Sequence, residues 1–344
     1  MDDSEPTERR PAVVLAEGAF GDPAGKTANG VALDGTRFDV RAVVDSTRAG
    51  SSARDVLGRG PDVPVVASVA DALDASPTVD ALVVGVAPAG GELPESWTDE
   101  IATAIRRGCD VVSGLHTFLS EDPEWRSLAD ECGVSLVDVR KPPEERFRVA
   151  DGSAEDVDAT VVLTAGTDCA VGKRTTTVEL YRAARDAGLD AGWVATGQTG
   201  LMIGADAGAV IDRVPADFAA GAVESLVVEV AADHDYVFVE GQAALTHRAY
   251  AGVTLSLLHG ASPDAVVLVD DPGRARRDDF DQWPVDGVAA ELAAIDALSA
   301  APVAAVSTWG DEREVASLPA ANVREDGGPE RLLAAVRGRL EREE

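Results

Sequence analysis

A glycine-bounded loop, Gly166 to Lys173, has residue types whose spacing could bind a phosphate. The loop follows an apolar run typical of a buried strand and precedes a segment with helical spacing. Consecutive backbone N–H groups and a helix N-terminus attract an anion, and the Lys173 ammonium would add a full positive charge. The residues that the sequence predicts at this phosphate site are Gly166, Thr167, Asp168, Cys169, Ala170, Val171, Gly172, Lys173, Arg174, Thr175 and Thr176.

The loop departs from the consensus G-x-x-x-x-G-K-[ST] at two positions. Thr167 stands where the consensus has its first glycine, and Arg174 stands where it has a hydroxyl residue. That hydroxyl normally contacts Mg²⁺, so Arg174 puts a magnesium role in question, although hydroxyls follow at Thr175 and Thr176. Arg174 also places a second cation beside Lys173. We therefore assign no metal ligands from the sequence.

Four other side chains are candidates for moving a proton. Glu240 directly follows an apolar run, at the carboxyl end of a predicted strand, where open α/β sheets place groups that contact ligands. His247, His259 and His116 are three of only four histidines, and an imidazole titrates near neutral pH. The spacing of these four residues leaves open which of them is a general base.

Three further residues are candidates for contacts to a cofactor. Gln198 and Gln242 carry amides that could bind a carboxylate or the edge of an adenine. Asp45 ends the second predicted strand, where a Rossmann domain has its ribose-binding acid. The loop at 17–30 lacks the G-x-G-x-x-G spacing, so it gives only weak support for dinucleotide binding.

Two alternations of apolar runs with helical segments would position these residues. The apolar runs of the first alternation are 12–18, 39–46, 63–68, 79–88, 109–114 and 134–140, and the second begins at 160–166. Continuous apolar strands separated by helices predict a parallel sheet covered on both faces. A polar stretch with two prolines, 141–159, is the predicted linker. We therefore predict an α/β fold, with a Rossmann-like parallel-sheet domain over 1–150 and a P-loop NTPase-like domain over 151–344.

The composition excludes several classes of partner. The net charge of −31 comes from 61 acidic residues against 30 basic ones, so the surface should repel nucleic acids and anionic membranes. A dispersed acidic excess with only three lysines is typical of a high-salt cytoplasm. The three cysteines form no C-x-x-C pair, and no signal peptide or membrane span is evident, so we expect a reducing, cytoplasmic location. The sequence leaves the oligomeric state open, a homo-oligomer included.

The segment "GTDCAVGK", with "AGWVATGQTG" and "YVFVEGQ" downstream, resembles dethiobiotin synthetase and its relatives. This resemblance implies a kinase or ligase that uses ATP and Mg²⁺ on a small carboxylate, with Glu240 as the acid of the V-E-G motif. The stretch from Trp193 to Thr196 lacks the lysine that the synthetase has there. Chemistry of the biotin-pathway type is therefore not expected.

Motifs over nearly the whole chain are similar to a two-domain P-loop family that includes D-glutamate N-acetyltransferase. They include "AGKTANG", "SGLHTFLSEDPE", "GTDCAVGKRTTT", "TGQTGLMIG" and "VEGQAALTHRAYAGVTLSLLHG". The resemblance implies acetyl-CoA as the donor and an acidic amino acid such as D-glutamate as the small-molecule substrate. Coenzyme A phosphates could bind the loop, Lys173 and Arg174 without Mg²⁺. Three functions stay open: acetyl transfer, an ATP-dependent kinase or ligase, and a nucleotide-binding regulatory protein without turnover.

A substrate with two carboxylates would need guanidinium partners in so acidic a protein. The candidates are Arg248, Arg274, Arg276 and Arg277. The alternative is that the last three balance the acids that follow them at 278 and 279.

Overall fold

The computed structural model describes residues 9–86 and 93–342. The chain forms two compact units: unit 1 is Met1–Lys141 with Leu201–Gly204, and unit 2 is Pro142–Gly200 with Ala205–Glu344. The last residues of the strand predicted at 79–88 lie outside the described part. Within the described part, no helix has both the length and the apolar character that crossing a membrane requires.

Unit 1 contains a six-stranded sheet in which all neighbouring strands are parallel. The strands are β1 Arg10–Leu15, β2 Phe38–Val44, β3 Val65–Val66, β4 Ala81–Val84, β5 Asp110–Ser113 and β6 Leu136–Asp138. Their order, β3-β2-β1-β4-β5-β6, is that of a doubly wound dinucleotide-binding domain. The predicted Rossmann-like sheet is confirmed, and each of its six strands overlaps a predicted apolar run.

Helices cover both faces of this sheet. Alternate residues of its strands point to opposite sides, so both faces present apolar side chains that must be buried. The helices are α1 Lys26–Asp34, α2 Ala53–Leu57, α3 Val69–Ala75, α4 Glu95–Arg106 and α5 Pro123–Cys132. Val13 and Leu15 of β1 pack in one apolar cluster, whereas Ala12 and Val14 pack in another. A strand buried on both faces explains the unbroken apolar runs in the sequence.

Unit 2 contains an eight-stranded sheet whose central strands are parallel. The order is β15-β16-β14-β11-β7-β10-β8-β9. The bounds are β7 Thr160–Gly166, β8 Ala191–Ala195, β9 Ala207–Gly208, β10 Tyr236–Glu240, β11 Ala265–Asp270, β14 Val303–Thr308, β15 Glu314–Val315 and β16 Leu318–Ala321. A separate antiparallel hairpin pairs β12 Arg276–Arg277 with β13 Phe280–Pro284. The predicted P-loop-type α/β fold is confirmed, with β7 at the centre between β10 and β11.

The helices of unit 2 pack on this sheet and position the predicted loop. They are α6 Lys173–Asp186, α8 Ala216–Ala231, α9 Ala251–Ala261, α10 Val288–Leu298 and α11 Gly328–Leu340. A further helix, α7 Gln198–Ile203, begins in unit 2, and its residues from Leu201 onward belong to unit 1. Leu163 of β7 packs with Leu226 of α8 and Leu257 of α9 in a buried apolar cluster. The loop at 167–172 therefore joins the central strand to the first residue of α6.

Candidate active site

The predicted phosphate loop is a tight turn that exposes backbone N–H groups at the start of α6. Ala170 and Gly172 have φ values of 52° and 99°, which alternate the direction of successive peptide groups. A Cβ at Gly172 would lie 2.4 Å from Cζ2 of Trp309, whose indole Nε1 donates to the carbonyl of Val171 at 2.6 Å. The indole thus fixes the turn from outside. The first N–H groups of α6 have no intrahelical acceptor, so they remain suited to an anion.

Lys173 is the buried cation of the turn. Its Nζ donates to the carbonyl oxygen of Asp168, and a Cβ at Gly166 would lie only 2.8 Å from its Cδ. Desolvation lowers the pKa of Lys173 to about 8, against the opposing effect of nearby Cys169 and Asp168. A bound phosphate would offset this cost of burial, because an adjacent anion favours the charged form of the ammonium.

The hydroxyls that follow Arg174 fasten α6 to the sheet. Thr176 Oγ1 lies 2.9 Å from Ser307 Oγ of β14, and Thr177 Oγ1 lies 2.7 Å from Thr164 Oγ1 of β7. Thr176 is therefore occupied by a protein partner, while Arg174 and Thr175 remain half-buried at the start of the helix.

Glu240 ends β10, the strand beside β7, and is buried with 7% of its surface exposed. Burial raises the pKa of its carboxyl to about 7, although Arg174 and the backbone N–H groups of Thr196 and Gly197 act in the opposite direction. The Thr196 N–H donates to Oε2 at 3.3 Å. A Cβ at Gly200 would lie 2.6 Å from that oxygen, so only a residue without a side chain fits there. Such a carboxyl can exchange a proton near neutral pH.

The two predicted amides lie beside this strand end. Gln242 Nε2 donates to the carbonyl of Thr196 at 2.5 Å, and Gln198 is the first residue of α7. Both are half-buried. Their roles as cofactor contacts stay predictions.

Asp168 and Arg277 form the buried ionic centre of the turn. Arg277 has 2% of its side chain exposed, and its Nη1 donates to the carbonyl of Thr167 at 2.8 Å and lies 3.4 Å from Asp168 Oδ1. Its Nη2 binds Thr246 Oγ1 and Asp286 Oδ2, both at 2.7 Å. The backbone N–H of Asp278 donates to Asp168 Oδ2 at 2.9 Å. The β12–β13 hairpin is thereby tied to the loop, a connection over more than a hundred residues that no local sequence pattern indicated.

His247 lies at this same centre. The ring is completely buried, and a nitrogen of it lies within 4.8 Å of both a carboxylate oxygen of Asp168 and Sγ of Cys169. These are ligand types for a metal, but Arg277 and Lys173 place positive charge beside them and disfavour a bound cation. The cluster was not predicted from sequence, although each of its three members was a candidate by itself.

The remaining predicted residues belong to other elements of the chain. His259 is exposed in the last turn of α9, about 12 Å along the helix from Ala251. His116 is exposed in unit 1. Asp45, also in unit 1, is completely buried and accepts hydrogen bonds from Phe20 N and from Thr47 N, both at 3.0 Å.

These features define a protein of two α/β units with a P-loop-like turn in the second. Residues 148–326 match a family described as a domain of unknown function (DUF1611_C), P-loop domain, and residues 46–142 match its Rossmann-like domain (DUF1611_N). The chain belongs to this family, as the motifs predicted.

Two curated relatives share a name. A D-glutamate N-acetyltransferase from Tritonibacter scottomollicae is 39% identical over 193 residues, and one from a Pseudoalteromonas species is 41% identical over 186 residues. The alignments cover 56% and 54% of this chain and the same shares of the relatives, so the chain spans about half the length of the curated relatives it matches. A crystal structure of a DUF1611 family protein from Anabaena variabilis is 31% identical, has a TM-score of 0.87, and covers 96% of this chain and 100% of that one.

Proposed function

We propose that this protein transfers an acetyl group from acetyl-CoA to the amine of D-glutamate or a similar acidic amino acid. The names of the two curated relatives support this activity. The structural observation that carries it is a phosphate turn in which Arg174 takes the magnesium-binding position and the hydroxyl of Thr176 is bound to Ser307. Such a turn offers backbone N–H groups and two cations to phosphates, and it lacks a hydroxyl at the position where the consensus has one for a metal.

Each part of the turn has a role in this proposal. The N-terminus of α6, Lys173 and Arg174 bind coenzyme A phosphates and orient the donor. Glu240, with a pKa raised to about 7, accepts a proton from the substrate ammonium, because a base is most effective when its pKa is near the working pH. His259 and His116 are assigned no role in this transfer and stay predictions.

The acidic substrate needs a guanidinium outside the ionic centre. Arg277 is unsuited, since it is buried and bound to protein acceptors. Arg276 and Arg248 are exposed, and the Arg248 guanidinium lies 5.8 Å from the centre of the Trp283 ring. We propose Arg248 and Arg276 as the groups that receive the substrate carboxylates.

An ATP-dependent kinase or ligase is the second candidate. The observation that favours it is Glu240 at the end of the strand next to β7, where an acid could serve a nucleotide-bound Mg²⁺.

Ligand-induced thermal shifts in molar KCl separate the two candidates. We expect acetyl-CoA and coenzyme A to raise the melting temperature, and D-glutamate with acetyl-CoA to release thiol and yield the N-acetyl product. The acceptor screen covers the D- and L-forms of acidic and neutral amino acids. A shift with Mg·ATP but none with acetyl-CoA or coenzyme A would overturn acetyl transfer in favour of the second candidate.

A further inference from the structure

Cys169 occupies a distinctive position in the phosphate turn. It is half-buried, between the buried Asp168 and the exposed Ala170. The φ of 52° at Ala170 is rare for a residue with a side chain, and such backbone conformations concentrate at functional sites. The Cys169 Sγ lies within 4.8 Å of a ring nitrogen of His247 and of the Asp168 carboxylate. The thiol therefore lies between solvent and a buried imidazole.

One buried nitrogen of the His247 imidazole, Nε2, is the main observation at this site. The Nδ1 of this ring accepts hydrogen bonds from the N–H groups of Ala249 and Tyr250, both at 3.2 Å, so the proton of the neutral ring is on Nε2. Burial, followed by the charge of Arg277, lowers the pKa of His247 and favours that neutral ring. Nε2 has no hydrogen-bond partner among the residues described, and Asp168 Oδ1, at 3.8 Å, is too distant to accept.

A buried N–H without an acceptor is costly, so an acceptor that arrives with a substrate would stabilise this arrangement. The surrounding charges favour an acceptor that is negative. Arg277 Nη1 lies 3.4 Å and Arg274 Nη1 3.7 Å from the Asp168 carboxylate, and Lys173 donates to the Asp168 carbonyl. These cations offset the negative charge of the Asp168 carboxylate, which lies within 4.8 Å of the Cys169 Sγ, and they would also stabilise an oxyanion that forms there.

We propose that Cys169 carries the acetyl group between donor and acceptor, with the His247 Nε2–H donating to the acyl oxygen. This inference rests on the proposed acetyl transfer and adds a covalent step to it. The turn that binds the donor phosphates would thus also hold the nucleophile.

The two half-reactions balance. In the first, Cys169 Sγ attacks the carbonyl carbon of the donor thioester, a new C–S bond forms, the bond to the coenzyme A sulfur breaks, and the thiol proton ends on coenzyme A. In the second, the substrate amine attacks the Cys169 thioester, a C–N bond forms, the C–S bond breaks, and one amine proton ends on Sγ. His247 stabilises the tetrahedral oxyanion of each step through Nε2–H.

The test is intact-mass spectrometry of the full chain after incubation with acetyl-CoA and no amine. We expect a gain of one acetyl group, located by peptide mapping at Cys169, and its loss on addition of D-glutamate with formation of the N-acetyl product. Cys169→Ala should abolish the adduct and lower turnover by at least about a hundredfold. Cys132→Ala, at a half-buried position in unit 1, is the matched control and should retain both the acetyl adduct and the wild-type turnover.

A second measurement does not depend on the Cys169→Ala variant folding. Wild-type protein should exchange labelled coenzyme A into acetyl-CoA in the absence of any amine, and His247→Gln should slow this exchange. Product formation by wild type with neither adduct nor exchange would overturn the covalent step while leaving the proposed acetyl transfer intact. An adduct that no amino acid discharges would instead overturn the proposed function and retain Cys169 as an acyl acceptor. Absence of adduct, exchange and product would overturn both.

Discussion

In each unit the first strand leads through a loop to a helix that starts with lysine, yet the two turns differ in what surrounds that lysine. Gly25 and Lys26 precede and begin α1, as Gly172 and Lys173 precede and begin α6. Lys26 is exposed, whereas Lys173 has 6% of its surface exposed and donates into its own turn. The same Gly-Lys pair therefore gives a surface residue in one unit and a desolvated cation in the other.

The acids near the two turns differ in the same way. In unit 1, Asp45 accepts the N–H of Phe20 and both donors of Thr47, and Glu17 accepts from the backbone and hydroxyl of Ser46. In unit 1 the carboxylates of Asp45 and Glu17 are thus both bound to protein donors, and one of those donors is the Phe20 N–H of the turn. The turn of unit 2 instead has a desolvated Lys173 and, near it, the imidazole of His247, whose Nε2 has no hydrogen-bond partner in the part of the chain that the structure describes. Polar groups left unsatisfied or desolvated are expected at a ligand site, so they favour the turn of unit 2 over the turn of unit 1 as the place where a ligand binds.

Replacing Lys173 and Lys26 one at a time is the most direct test of this difference between the two turns. Lys173→Ala should lower kcat/KM for acetyl transfer by about a thousandfold, or ~4 kcal/mol, because a buried cation at the donor phosphates is lost. The melting temperature should not fall, since burial opposes the charged form of Lys173. Lys26→Ala is the matched control and should change neither quantity. Equal losses of activity in both variants would contradict the distinction.

The sequence predicted the elements of this comparison better than their environments. Apolar runs and the spacing of Gly172 and Lys173 are local features, so the strand, the turn and the start of α6 could be predicted. The pairing of Asp168 with Arg277 joins residues more than a hundred positions apart, and no local pattern encodes it. The histidines were equivalent by spacing, and only the fold shows that His247 is buried beside the turn.

The second prediction concerns the arginine that ties the β12–β13 hairpin to the turn of unit 2. Arg277→Ala should lower the free energy of unfolding by about 3 kcal/mol, because the Asp168 carboxylate would remain buried without its nearest guanidinium. Arg276→Ala, at the exposed neighbouring position, should change it by less than about 0.5 kcal/mol. Chemical denaturation of both variants measures the difference. A similar small effect in the two variants would mean that the hairpin does not hold the turn.

The third prediction uses pH to separate the buried acid of unit 2 from exposed ones. Because the pKa of Glu240 is raised to about 7, its neutral form stabilises the fold at low pH, and this contribution is lost as the pH rises from 4.5 through 7. Glu240→Gln should therefore gain about 3 kcal/mol in free energy of unfolding relative to wild type between pH 4.5 and pH 8. Glu330→Gln, exposed at the start of α11, is the control. A pH-independent difference for Glu240→Gln would contradict the buried, easily neutralised carboxyl.

The smallest expected effect tests the acid of unit 1. Desolvation acts to raise the pKa of Asp45, but hydrogen bonds from Thr47, Phe20 and Gly18 together lower it, so its carboxylate stabilises the fold above its usual pKa range and this contribution is lost as the pH falls. Asp45→Asn should lower the free energy of unfolding by about 1.5 kcal/mol at pH 7, and by less in acid. If Asp45 serves only the turn of unit 1, the thermal shift with acetyl-CoA stays at its wild-type value. If the shift is lost while the fold survives, Asp45 binds a cofactor as its position after β2 predicts, and the contrast between the two turns must be redrawn.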